Sequence, residues 1–245
     1  MVLSTTLGTE ICMKKNKICF SLWGDSRKYW NGALRNVEIV SELLPDFNCR
    51  FYVDKYCNEN DINGLRSHNG TEVILVDSDT SWHGMFWRFY AVAETDGVFL
   101  SRDTDSRISE REIYAINEWL DSDKKFHIMR DHPYHTVPIL GGMWGCRGGI
   151  LKNIETLIDS WDNHTHTKGQ WRSVSVAGDQ DFLGEIIYPI VFNTSYEHTE
   201  FGINFGGQTH KFPTPRKDHE FVGDVFDHMD VRHPDYWKII KNYGI

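Results

Sequence analysis

Two carboxylates two residues apart, Asp103 and Asp105, close the apolar run ValPheLeuSer at 98–101 in the segment LeuSerArgAspThrAsp. Side chains of extended chain alternate between faces, so both carboxylates point the same way. Like charges held together are unfavourable unless a cation neutralises them. Hard oxygen donors suit magnesium or manganese, which keep coordination positions open for phosphate groups. The chemistry expected of this pair is a divalent cation presented to a phosphate-bearing ligand. Arg88, in the greasy segment HisGlyMetPheTrpArgPheTyrAlaValAla at 83–93, could aim a guanidinium at the same phosphates or simply run along a core helix. A third group is GlyAspGlnAspPheLeuGly at 178–184. Asp179 is a natural N-cap, and together with Gln180 and Asp181 it places three hydrogen-bonding side chains on a first helical turn, where they can read hydroxyls.

Such groups need a frame. Short, almost wholly apolar runs at 18–23, 49–53, 72–76, 98–101 and 126–129 alternate with helical patterns near 32–44, 59–66, 83–94 and 110–121. Alternation of this kind predicts an α/β fold, a Rossmann-like and mostly parallel sheet flanked by helices on both faces. Met85, Phe86, Phe89, Tyr90 and Ala93 share one helical face, and Ser109 with Glu112 forms a capping box before Ile113. In open α/β sheets ligands bind beyond the carboxyl ends of the strands. Besides Asp103, the runs stop at Trp23-Gly24-Asp25, at Asp54 and at Asp77. Trp23, Asp25, Asp54 and Asp77 are therefore candidates to line the ligand crevice, although aspartate is also a ready turn former. Beyond the glycine-dense stretch at 138–149, helices at about 151–161 and 179–187 precede a tail rich in Gly, Pro, His and aromatics, which reads as substrate-facing loops. The expected organisation is a flexible arm at 1–16 and a single domain at 17–245. Its 17–108 half carries the candidate metal and phosphate site, and its 109–245 half the substrate-facing loops.

Composition removes several classes. With 35 acidic against 26 basic residues in 245, the net charge of −9 repels polyphosphate, so nucleic acid is not an expected partner. Apolar runs such as ValIleLeuVal at 73–76 are far short of the roughly 20 residues that span a bilayer, and no signal-peptide pattern opens the chain. The five cysteines have neither CxxC pairing nor zinc spacing, and reduced thiols in the cytoplasm are the expectation. His127, His132 and His135 match no zinc template. His210, in GlnThrHisLysPheProThrPro at 208–215, could return to the site as a third metal ligand. Nine tryptophans could offer faces to sugars, though most are expected in the core.

An arginine-bearing helix, a strand ending AspThrAsp, a later glycine-rich stretch and AspGlnAsp opening a helix together resemble the nucleotide-sugar-dependent glycosyltransferases of the A-type fold. The order is most similar to the retaining group that contains glycogenin and the lipopolysaccharide galactosyltransferases. SerLeuTrpGlyAsp and CysArgPheTyrValAsp are also similar to segments of small bacterial and large-DNA-virus glycosyltransferases. The resemblance implies a nucleotide-diphosphate sugar (UDP- or GDP-sugar) as donor, a glycan or other hydroxyl acceptor and manganese or magnesium on Asp103 and Asp105. It also implies Arg88 on the diphosphate, Asp179, Gln180 and Asp181 beside the anomeric carbon, and His210 completing the metal shell. The group's HisGlyLysProTrp ending is absent, and IleLeuGlyGlyMetTrpGly stands where an asparagine-glycine segment is usual. Retaining and inverting outcomes both stay open on these residues. The alternatives are a catalytically inactive scaffold that binds a nucleotide-sugar or glycan, and a sugar-phosphate nucleotidyltransferase. The latter would want a richer glycine loop than LeuTrpGlyAspSerArgLys at 22–28.

Overall fold

The computed structural model describes residues 15–77, 83–93, 96–167 and 178–244. Among them, eight strands form one sheet in the order β3-β2-β1-β4-β6-β5-β7-β8. In chain order the elements are β1 (Asn16–Leu22), α1 (Arg27–Leu43), β2 (Phe47–Asp54), α2 (Glu59–Arg66), β3 (Thr71–Val76), α3 (Gly84–Trp87), β4 (Val98–Ser101), α4 (Glu110–Asp121) and β5 (Phe126–Arg130). They continue with β6 (Trp144–Arg147), α5 (Ile154–Thr167), α6 (Gly178–Phe182), α7 (Tyr188–Val191), β7 (Ser195–Thr199), β8 (Thr209–His210) and α8 (Pro234–Asn242). Only β6 runs against the rest, paired with β4 through Leu100↔Gly145 and with β5 through His127↔Gly145. The expected α/β class, with its mostly parallel sheet, is the observed one.

The central strands are covered on both faces, as their apolar sequences require, whereas the edge strand β3 leaves Ile74 and Leu75 exposed. One face packs Trp30, Val37 and Val40 of α1 and Ile116 and Trp119 of α4 on Ile18, Phe20 and Phe51. The other packs Phe86, Trp87, Phe89 and Val92 with Phe126, Trp144, Phe182 and Leu183. Burying each such side chain contributes roughly 1.5–3 kcal/mol before the entropy of ordering the chain is set against it.

Several expectations need correction. The helix expected at 83–94 is α-helical only to Trp87 and tightens to a 3₁₀ helix over Arg88–Ala93. Helix α1 starts five residues before its expected beginning at 32, with Arg27. Ser109 caps α4 through Glu112 N, 3.3 Å away, but the Glu112 carboxylate does not complete a capping box. It turns inward to the guanidinium of Arg102, both side chains being buried. β6, β7, β8 and α8 lie outside the expected elements, and Asn16, within the expected arm, begins β1. The rest of that arm, residues 1–14, lies outside the described residues. Among the described residues Cys19, Cys49, Cys57 and Cys146 form no disulfide, while Cys12 falls among the undescribed positions. No described helix is long and apolar enough to cross a membrane.

β7, SerTyrGluHisThr, is polar yet fully buried, because each ionisable group meets a partner. Glu197 binds Arg130, and both are wholly buried. His198 Nδ1 lies 2.8 Å from His127 Nε2, while its Nε2 faces Glu118 at 3.4 Å. Burial pushes the His198 imidazole down to about 4 from 6.5, with His210 and Arg111 acting in the same direction and Glu118 opposing. The unfolded chain therefore binds this proton more readily than the folded one. Stability from this group is complete above pH 6.5 and falls as the pH drops towards 4, by about 3 kcal/mol at the limit. Melting temperature followed from pH 7.5 to 4.5 should decline less steeply in His198→Gln than in the wild type. Parallel declines would show that His198 is not the titrating group.

Candidate active site

In the strand order 3-2-1-4 the direction of winding reverses between β1 and β4, which opens a crevice at their carboxyl ends. Trp23 and Asp25 follow β1 there, and Asp103 and Asp105 follow β4. Asp54 and Asp77 end β2 and β3 on the same edge, one and two strands further out. Asp54 accepts from Tyr56 N at 3.0 Å as a turn former, and Asp77 pairs with Lys55 at 2.5 Å. Trp23 is half-buried, sets its ring edge-on to Trp87 with centroids 6.1 Å apart, and lies against Gly84.

Arg88 joins these strand ends to α6. It falls where α3 passes into the 3₁₀ turn. Its backbone N–H donates to Ser21 Oγ of β1 at 3.0 Å. Its Nη1 donates to Arg102 O at 3.1 Å and to Asp103 Oδ1, and its Nη2 to Asp179 Oδ2 at 3.1 Å. Nε is buried and has no hydrogen-bond partner among the described residues. Burial alone would lower the pKa of the guanidinium, but Asp103 and Asp179 more than reverse that. Arg88, Asp103 and Asp179 thus come from three separate elements and meet in one charged network. Gln180 and Asp181, half-buried, follow on the same turn, which runs directly into a π-helical segment at Leu183–Ile187.

The carboxylates differ in exposure. The Asp103 side chain is 42% exposed, that of Asp179 only 6%. Burial raises the pKa of Asp179 above the usual carboxylate range in spite of Arg88. Asp105 is raised by burial and by the neighbouring negative charge of Asp103, against the pull of Lys28, whose Nζ lies 2.7 Å from its Oδ2. Ser101 Oγ donates to Gly141 O at 2.7 Å and ties the loop before β6 to the end of β4. That loop can come so close only as glycine. A Cβ on Gly141 would stand 2.2 Å from Asp179 Oδ2, and one on Gly142 would stand 2.1 Å from Asp103 Oδ2.

Sequence reasoning missed Lys28, Ser21, Gly141 and Gly142 as parts of the site. The glycine density at 138–149 was the available signal for the last two.

The structure does not bring His210 to the carboxylates. It lies on the edge strand β8, four strands from β4, or roughly 19 Å at the usual strand spacing. Its ring stacks on Tyr196 with centroids 4.0 Å apart. The tail that was expected to return to the site instead adds β7 and β8 to the far edge of the sheet, and His210 goes with β8. Among the described residues no group of three or more His, Cys, Asp or Glu side chains is placed to hold a metal ion by itself.

No protein-family model and no curated protein matches the sequence. Similar solved structures include TarS of S. aureus, with 14% identity over 76% of this chain and 58% of that one at a TM-score of 0.49. The glycosyltransferase GlyE of Streptococcus pneumoniae has 13% identity over 75% of this chain and 45% of that one, TM-score 0.46. The galactosyltransferase LgtC, solved with donor and acceptor sugar analogues, has 17% identity over 74% and 73%, TM-score 0.43. The chain spans about half the length of the first two. These likenesses concern the course of the chain and assign no residue and no substrate.

Proposed function

We propose that the chain is a metal-dependent glycosyltransferase that moves a sugar from a UDP- or GDP-sugar to a hydroxyl of a glycan or other acceptor, with retention at the anomeric carbon. The observation that carries this reading is the joining of Arg88, Asp103 and Asp179 at the switch point of the sheet. Asp103 and Asp105 fit a divalent ion as donors: they are hard oxygens, and the charge of Asp103 already burdens Asp105. With only two carboxylates to bind it, such an ion would draw its other ligands from the donor's phosphates and water. When bound it would supply positive charge to the departing diphosphate.

The chain's own groups do the rest. Arg88, held rigidly from two sides, offers fixed positive potential where the leaving group gathers charge, the kind of preorganised contact that lowers a barrier most. Asp179 is engaged by Arg88 and buried, so it is poorly placed to act as the general base that inversion needs. It positions Arg88 instead. Gln180 and Asp181, next on the turn, are the groups that reach the sugar and support positive charge at the anomeric carbon. Trp23 and Asp25, at the end of β1, border the donor's nucleoside.

Asp103→Asn should keep the fold and lose manganese-dependent donor binding by at least about tenfold, or about 1.4 kcal/mol. A thermal-shift panel of UDP, GDP and their sugars, each with and without manganese, reads this as a lost rise in melting temperature. An undiminished rise in the variant would remove Asp103 from the site.

A further inference from the structure

We propose that Lys28 is a resident countercharge of the Asp103–Asp105 pair, one that a divalent cation must displace in order to bind. The inference rests on the glycosyltransferase reading and names how that site is kept before the metal arrives. Three carboxylates, Asp103, Asp105 and Asp179, face two cations, Arg88 and Lys28. Among these contacting groups one negative charge is left over, which attracts a dication and repels a diphosphate. Metal should precede donor.

The two cations are not equally able to move. Arg88 is buried and bound to Arg102 O, Asp103 and Asp179, so displacing it would strand two carboxylates. Lys28 sits in the first turn of α1, about a third exposed, and its ammonium has Asp105 as its ion-pair partner. Its four-carbon stem can swing to a new anion without moving the helix. Asp105, by contrast, is fixed from behind. Phe226 N donates to Asp105 O at 2.8 Å, and Asn36 Nδ2 to Ser106 O at 2.9 Å. Helix α1 presses Gly32 so near Thr104 O that a Cβ would stand 2.0 Å from it. The same helix thus holds the loop still and hands it a movable ammonium. An ammonium and a dication on one carboxylate oxygen repel each other, so metal binding expels Lys28 towards the crevice, where the donor's diphosphate is the next anion to arrive.

The test titrates manganese chloride alone into the full chain, with free Mn2+ followed by electron paramagnetic resonance. Wild type, Lys28→Met, Lys28→Arg and Arg27→Met are compared after their melting temperatures are matched. Lys28→Met should bind Mn2+ about three- to tenfold more tightly than the wild type, because it removes the competitor. Lys28→Arg should not tighten. Arg27→Met, which loses an exposed cation paired with Asp61, should stay within about twofold of the wild type if the effect is contact rather than general charge. Equal affinity in Lys28→Met and wild type overturns the proposal. So does an equal gain in Arg27→Met, and so does a lack of Mn2+ binding in every variant. Tightening in Lys28→Met alone, in a chain that binds neither UDP nor GDP with saturating Mn2+, sustains the countercharge and removes the glycosyltransferase reading.

Discussion

Arg88→Ala is expected to lower turnover by about 10²–10³-fold, the effect usual for losing one preorganised donor at a site of developing charge. It should also lower stability by about 3–5 kcal/mol, because a buried carboxylate loses its partner. The guanidinium touches Asp103 and Asp179 at once, so its removal leaves two negative groups side by side. Asp179, whose carboxyl burial already raises, would be pushed up further and take a proton. Protonation relieves the unpaired charge, so the melting deficit of Arg88→Ala relative to wild type should shrink as the pH falls from 7.5 towards 5. Arg88→Lys keeps the charge but not the two-pronged geometry, and should recover part of the stability and little of the turnover. Donor titration and melting curves on the same preparations separate the roles. Wild-type donor affinity in a destabilised Arg88→Ala would make Arg88 a structural arginine.

The second large effect lies in the half of the molecule whose sequence looks least regular. Asp131, wholly buried after β5, receives Arg111 Nε and Nη2 at 2.8 and 3.0 Å, Arg216 Nη2 at 2.7 Å and Val222 N at 2.9 Å. One carboxylate thus ties α4 and the 214–222 tail to the sheet. Arg111 also lies over the Phe212 ring at 4.5 Å. Asp131→Asn preserves the shape and removes the charge that compensates two arginines, so it should cost about 3–5 kcal/mol in urea unfolding. The same tail continues to Val225, which bridges Ser106, and to Phe226, which backs Asp105. Limited proteolysis should accordingly cut the 214–222 segment faster in the variant, and donor affinity should fall with it. A stability change under about 1 kcal/mol would mean that the arginines find other partners without rearrangement.

The first five strands are legible because each is a short apolar run; β1, β2, β4 and β5 are largely buried, while the edge strand β3 keeps the pattern although Ile74 and Leu75 are exposed. β7 was illegible for the opposite reason. Glu197 and His198 are buried as partners of Arg130 and His127, and pairing of that kind leaves no periodic trace. β6 is hidden in TrpGlyCysArg, where Gly145 lets the strand lie against Leu100 and Phe99 O. Residue type and strand-end position single out Asp103 and Asp105 as candidates, and residue type on helical segments singles out Arg88 and the 179–181 turn; the structure joins Arg88, Asp103 and Asp179. Lys28 depended on how α1 packs across the Asp-X-Asp loop, and His210 on where the tail joins the sheet. Both are facts of tertiary order that local spacing does not carry. Gly141 and Gly142 stood in plain view, but their purpose is visible only beside the side chains that occupy the space a Cβ would need.

Calorimetric titration of UDP and of GDP into the wild-type chain, each with and without manganese, tests the central claim most directly. One nucleotide should bind in the presence of the metal and lose most of its affinity without it. Absence of binding by both nucleotides, with manganese and without, would contradict a nucleotide-sugar site at Arg88, Asp103 and Asp105.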